Sequence, residues 1–117
     1  MQYLLLIYDD EKARWNASAE KRAEIMNAYK SLVGELAQTE MYLGGNSLDQ
    51  TTKASSVRVR DGKLQITDGP FAETREQLGG YFLIEAPDVA TARAIAARMP
   101  GAANGTVEVR PVVPIPA

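Results

Sequence analysis

Asp68-Gly-Pro-Phe-Ala-Glu-Thr-Arg-Glu-Gln-Leu-Gly-Gly-Tyr-Phe-Leu-Ile-Glu85 passes from a turn through a segment of mixed charge into an apolar run. Pro70 fixes its own φ and pushes Gly69 toward extended geometry. Asp68 can accept hydrogen bonds from the amides just ahead of it, as an Asx turn. Gly79-Gly80 reads as a hinge. Beyond it Tyr81 and Leu83 alternate with Phe82 and Ile84, so Gly80–Glu85 reads as a strand that is apolar on both faces and belongs inside a sheet. Residues 2–8, Gln-Tyr-Leu-Leu-Leu-Ile-Tyr, have the same two-sided pattern and form its companion.

The remaining elements are arranged around these two strands. Ser18 is an N-cap, and Ile25, Tyr29, Leu32, Val33 and Leu36 recur at helical spacing, which predicts an amphipathic helix over 19–38. Met41–Leu43 is a short strand ended by Gly44-Gly45-Asn46. Val57–Arg60, Asp61-Gly62 and Lys63–Ile66 make a hairpin, because Asp-Gly supplies the positive φ values of a two-residue turn. With Arg60 opposite Lys63, the residues Val57, Val59, Leu64 and Ile66 share one face, and Arg58, Arg60, Lys63 and Gln65 share the other. Pro87 breaks the central strand and Asp88 caps a second helix near 89–99, whose buried stripe is Ala92, Ile95, Ala96 and Met99. Pro100-Gly101 stops that helix. Residues 106–112 form the last strand, and Pro111, Pro114 and Pro116 end the sheet. The order β-α-β, inserted hairpin, β-α-β predicts a single domain over 1–117 of the α+β class, a ferredoxin-like split βαβ sandwich. Two helices cover only one face of such a sheet. The other apolar face is left as an interface or cleft wall, and a face-to-face homodimer is its simplest cover.

Composition narrows the chemistry. The chain has 117 residues, no cysteine and no histidine. Thiolate zinc sites, cysteine nucleophiles and imidazole acid–base catalysis are therefore excluded, and transition metals and cofactors are not expected. A net charge of −2 with interspersed signs provides no basic stripe for nucleic acid or an anionic membrane. Tyr3–Tyr8 is too short for a signal core and runs into Asp9-Asp10-Glu11, so a cytoplasmic protein is expected.

The residues left for chemistry are few. Asp68 is the candidate catalytic carboxylate, and Tyr29, Arg58, Glu73, Arg75 and Tyr81 are the candidate ligand-binding set. Ordinary structural roles compete with each of these. Asp68 can serve its own turn. Glu73, Arg75 and Glu76 can form a solvated ion-pair cluster, and Arg58 can lie on a solvated hairpin face. Tyr29 and Tyr81 can be half-core tyrosines with hydroxyls at the edge. Against these stands a rigid carboxylate at a cleft rim, with a guanidinium fork suited to a carboxylate ligand.

The long segment 68–85 resembles the signature of the DGPF group of the YCII-related family. The likeness extends to Tyr3–Tyr8, Val57–Gly62 and Gly105–Pro111. The resemblance implies a ferredoxin-like fold, a dimer resembling the dimeric α+β barrels, and a cleft between the sheet and the partner. It also implies a conceivable regulatory link, since some DGPF proteins are encoded beside extracytoplasmic-function sigma factors. Some YCII-like relatives carry a His–Asp pair proposed as catalytic. Tyr29 falls at the His position and Met99 at the Asp position, so this chain lacks the pair. The leading expectation is a small-molecule-binding homodimer, with an enzyme of the lyase or isomerase kind as its catalytic form. The alternative is a non-catalytic regulatory or sensor protein linked to sigma-factor systems. A structural dimer whose motif only builds its interface is a third reading.

Overall fold

The structure, a computed structural model, describes residues 1–116. In chain order the elements are β1 (Gln2–Asp9), α1 (Glu11–Trp15), α2 (Ala19–Gln38), β2 (Tyr42–Ser47), a 3-10 turn at Thr51–Lys53, β3 (Ser55–Arg60), β4 (Lys63–Asp68), β5 (Gln77–Glu85), α3 (Val89–Ala97), α4 (Pro100–Asn104) and β6 (Thr106–Pro111). The class is α+β with antiparallel sheets. The main sheet has the order β2-β5-β1-β6, consistent with a ferredoxin-like fold, and β3–β4 form a separate two-stranded sheet.

Local chemistry sets the helix starts. Ser18 Oγ accepts from the Lys21 amide at 3.1 Å, and the Asp88 carboxylate accepts from both the amide (2.8 Å) and the hydroxyl (2.7 Å) of Thr91. Those bonds hold the Asp88 carboxyl below its ordinary pKa. Asp10 caps α1 by accepting from the Ala13 amide. The three longer-range helices α2, α3 and α4 lie on one side of the sheet. There Tyr3, Leu5 and Ile7 of β1 and Phe82 and Ile84 of β5 pack with Leu32, Leu36, Ala92, Ile95, Ala96 and Met99. The rings of Tyr29 and Tyr42 meet Phe82 edge-on, at 5.9 and 5.3 Å between centroids.

Among the described residues no helix layer covers the opposite face. Leu4, Leu6 and Tyr8 of β1 and Tyr81 and Leu83 of β5 are only half-buried. The hairpin stands away from the main sheet. Its register pairs Val57 with Ile66 and Val59 with Leu64, as the Asp61-Gly62 turn predicts, with both turn residues at positive φ. The radius of gyration is 16.1 Å, against about 13 Å for a compact chain of this length.

Four local expectations need correction. Gly44-Gly45-Asn46 does not end β2 but lies within it, after a register irregularity between Tyr42 and Gly44. Gly79 and Gly80 are not a hinge. Both are buried inside β5, which starts at Gln77. Pro100 does not stop the second helix. That helix ends at Ala97, and Pro100 opens α4, where its missing N–H would have had no partner anyway. Gly69 has φ +94°, a left-handed value open to glycine that Pro70 does not forbid.

Gly45 shows why β2 needs a glycine. A Cβ there would sit 2.7 Å from the Tyr81 carbonyl oxygen and 2.9 Å from Phe82 Cδ1. We expect Gly45→Ala to lower stability by about 2 kcal/mol through forced separation of β2 from β5, whereas Gly34→Ala, with open space around it, should be neutral or stabilising. Denaturant melts of the two variants check the contrast.

Candidate functional site

β1 and β5 run antiparallel with Asp9 opposite Gln77. The chain leaving β1 and the chain entering β5 therefore meet at one end of the sheet. Asp10, Glu11 and Lys12 from the first, and Asp68–Pro70, Glu73–Arg75 and Gln77 from the second, line a groove of about 720 Å³ with Thr51 and Thr52 on its side. The Glu11 carboxylate fixes that side by accepting from the Thr51 amide and from its hydroxyl at 2.6 Å.

The Asp68 turn is held from outside. The Gly69 amide donates to the Ala54 carbonyl at 2.7 Å, and Ser56 Oγ donates to the Gly69 carbonyl at 2.8 Å. Among the described residues no hydrogen bond reaches the Asp68 carboxylate, so the Asx turn expected for it does not form. Downstream, Gln77 Nε2 donates to the Thr74 carbonyl at 2.7 Å, and the Glu76 carboxylate accepts from Thr106 Oγ1 at 2.9 Å. The Asp10 and Glu11 carboxylates are engaged as a helix cap and on Thr51. Asp68 and Glu73 are the acids not engaged in this way, and Lys12 and Arg75 are the cations of the groove. A carboxylate and a guanidinium sharing one groove can bind a polar molecule with separated charges. The guanidinium fork takes a carboxylate or phosphate, and the carboxylate accepts a proton or a hydrogen bond.

The structure brings Asp68, Glu73 and Arg75 together and separates the other candidates from them. Arg58 lies on the exposed hairpin opposite Gln65. Tyr81 is on the open sheet face, where its hydroxyl accepts from Asn46 Nδ2 at 3.0 Å. Tyr29 is on the helix side, and its hydroxyl accepts the Gly101 amide at 3.0 Å. Sequence reading missed the β1–α1 residues and Thr51–Thr52. The acidic run Asp9-Asp10-Glu11 was the available signal, once β1 is paired antiparallel with β5.

A second polar cluster lies beside the groove end of β1. Arg14 Nε comes within 3.0 Å of Asp9 Oδ2, and both side chains are largely enclosed. That approach is an ion pair without hydrogen-bond alignment, and Asp9 Oδ1 has no partner. Burial pushes the Asp9 carboxyl above the usual range, while the Arg14 charge opposes the shift. The pair packs onto Gly79, where a Cβ would come 2.8 Å from Arg14 Nη2. The guanidinium also lies 5.6 Å over the ring of its neighbour Trp15.

Burial pushes the Tyr29 phenol above its ordinary value, and the Gly101 N–H only partly offsets it. Tyr29 is therefore neutral at pH 7 and cannot replace the missing histidine as a base. Tyr29→Phe leaves the Gly101 amide unpaired, so we expect a loss of about 1–3 kcal/mol in stability, with binding in the groove unchanged. Thermal melts and ligand titration separate the two effects.

The YCII-related domain family model matches residues 1–116. A protein of Rhizobium meliloti (strain 1021), R00369, itself uncharacterised, is 32% identical over 114 residues, covering 96% of this chain and 92% of the relative. This chain belongs to the family of YCII-related domains.

Proposed function

We propose that this protein binds a small polar molecule in the groove beside Asp68 and works as a homodimer. The observation that carries the reading is the Asp68 carboxylate. Its turn is held by Ala54 and Ser56, so the carboxylate is not used by its own loop, and it lines a groove that also contains Arg75. The ligand class follows from the charges. An anionic group on the ligand pairs with Arg75 or Lys12, and a hydroxyl or amine faces Asp68 or Glu73.

In the catalytic form of this reading, Asp68 is the base that takes a proton from a carbon next to the ligand's carbonyl or carboxylate. Arg75 balances the charge that develops there. This is chemistry of the lyase and isomerase kind. The dimer is supported by the apolar face of Leu4, Leu6, Tyr81 and Leu83, which is left only half-buried among the described residues.

The test uses the purified protein and mass spectrometry of retained metabolites. A retained anionic small molecule is the expected result. With that molecule in hand, Asp68→Asn should leave the melting temperature within a degree or two, because no hydrogen bond to the turn is lost. It should weaken binding or abolish turnover by tenfold or more. Unchanged affinity and turnover in the variant would end the role of Asp68. Binding without turnover would instead assign the ligand-sensing reading, with a regulatory partner such as a sigma factor to be sought by co-purification.

A further inference from the structure

We infer that the β3–β4 hairpin is an arm whose apolar face, Val57, Val59, Leu64 and Ile66, docks on a second copy of this chain. The inference rests on the homodimer proposed above and assigns a part of its interface. Those four side chains are 61%, 61%, 65% and 62% exposed in the single chain. Together they present roughly 400 Å² of apolar surface on one side of one hairpin, as large as the largest patch of an ordinary monomer, which is often functional. Every residue of β4 is exposed, and the hairpin shares no sheet with the main one. A two-stranded hairpin alone in water is marginal and needs a packed surface for support.

A second copy fits this arm for three reasons. The first is area. A stable dimer buries about 800 Å² per partner, and the exposed hairpin face offers about half of that, so the arm fits as one part of a larger interface. The second is shape. The chain measures 47 × 45 × 18 Å, and a flat body with a projecting arm can be enclosed by a copy of itself about a two-fold axis. The third is charge. Strand alternation sends Arg58, Arg60 and Lys63 to the opposite side of the hairpin, so apposed apolar faces bring no cations together. The arm also matters to the groove. Gly69, at the groove rim, is bonded to Ala54 and Ser56 at the hairpin base, so an arm seated on the partner holds the Asp68 turn in place.

The test is the double variant Val59→Asp/Leu64→Asp. Both residues are exposed in the single chain and outside the groove, so the variant should keep its circular dichroism spectrum. Light scattering should show the dimer dissociation constant raised at least tenfold. Hydrogen exchange of the wild-type protein provides a second readout that does not depend on the variant folding. The amides of β3 and β4 should be protected at high protein concentration and lose protection on dilution. A variant that stays as dimeric as wild type, or hairpin amides that exchange freely at every concentration, would overturn the inference. Leu83→Asp separates this from the parent reading. Dissociation by Leu83→Asp with none by the hairpin variant would keep the dimer and remove the arm from it.

Discussion

The two central strands are apolar on both faces, and the chain has helices enough to cover only one. Tyr3, Leu5, Ile7, Phe82 and Ile84 take the covered side and form the core with α2, α3 and α4. Leu4, Leu6, Tyr81 and Leu83 are left half-buried on the other side. Hydrophobic burial at about 25 cal/mol per Å² makes leaving such a face in water costly.

The antiparallel pairing of β1 with β5 has a second consequence. It places the exit of one strand beside the entry of the other, so the acidic segment after β1 and the Asp68–Gln77 segment meet without any further contact being required. The groove is thus a product of sheet topology, and its polar residues come from loops that the sheet holds at fixed spacing. The Asp9–Arg14 pair on Gly79 lies beside the groove, and the Gly69 bonds to Ala54 and Ser56 hold its Asp68 rim.

Much of this was legible in the residues. The helix over 19–38 follows from its N-cap and stripe, and the hairpin register follows from Asp61-Gly62, because both depend on neighbours within a few positions. Asp68, Glu73 and Arg75 line one groove for the same reason, being close in sequence. Long-range close approach was not legible. Gly45 reads as a strand end until the Tyr81 carbonyl is seen against it, and Gly79-Gly80 reads as a hinge until Arg14 and Asn46 are seen packed on it. Helix α1 is too short for a periodic signal, so Lys12, Glu11 and the Asp9–Arg14 pair were missed. Tyr29, Arg58 and Tyr81 share residue types with the groove set but fall on three different surfaces, which only the sheet order decides.

A sheet with helices on one face only is, in the proposed assembly, completed by a second copy of the chain. Sedimentation equilibrium of the unmodified protein, run across the micromolar range, tests it most directly. The account predicts a species of twice the 12.7 kDa chain mass throughout that range, with dissociation only on strong dilution. A single species at the mass of one chain across the same range would contradict it.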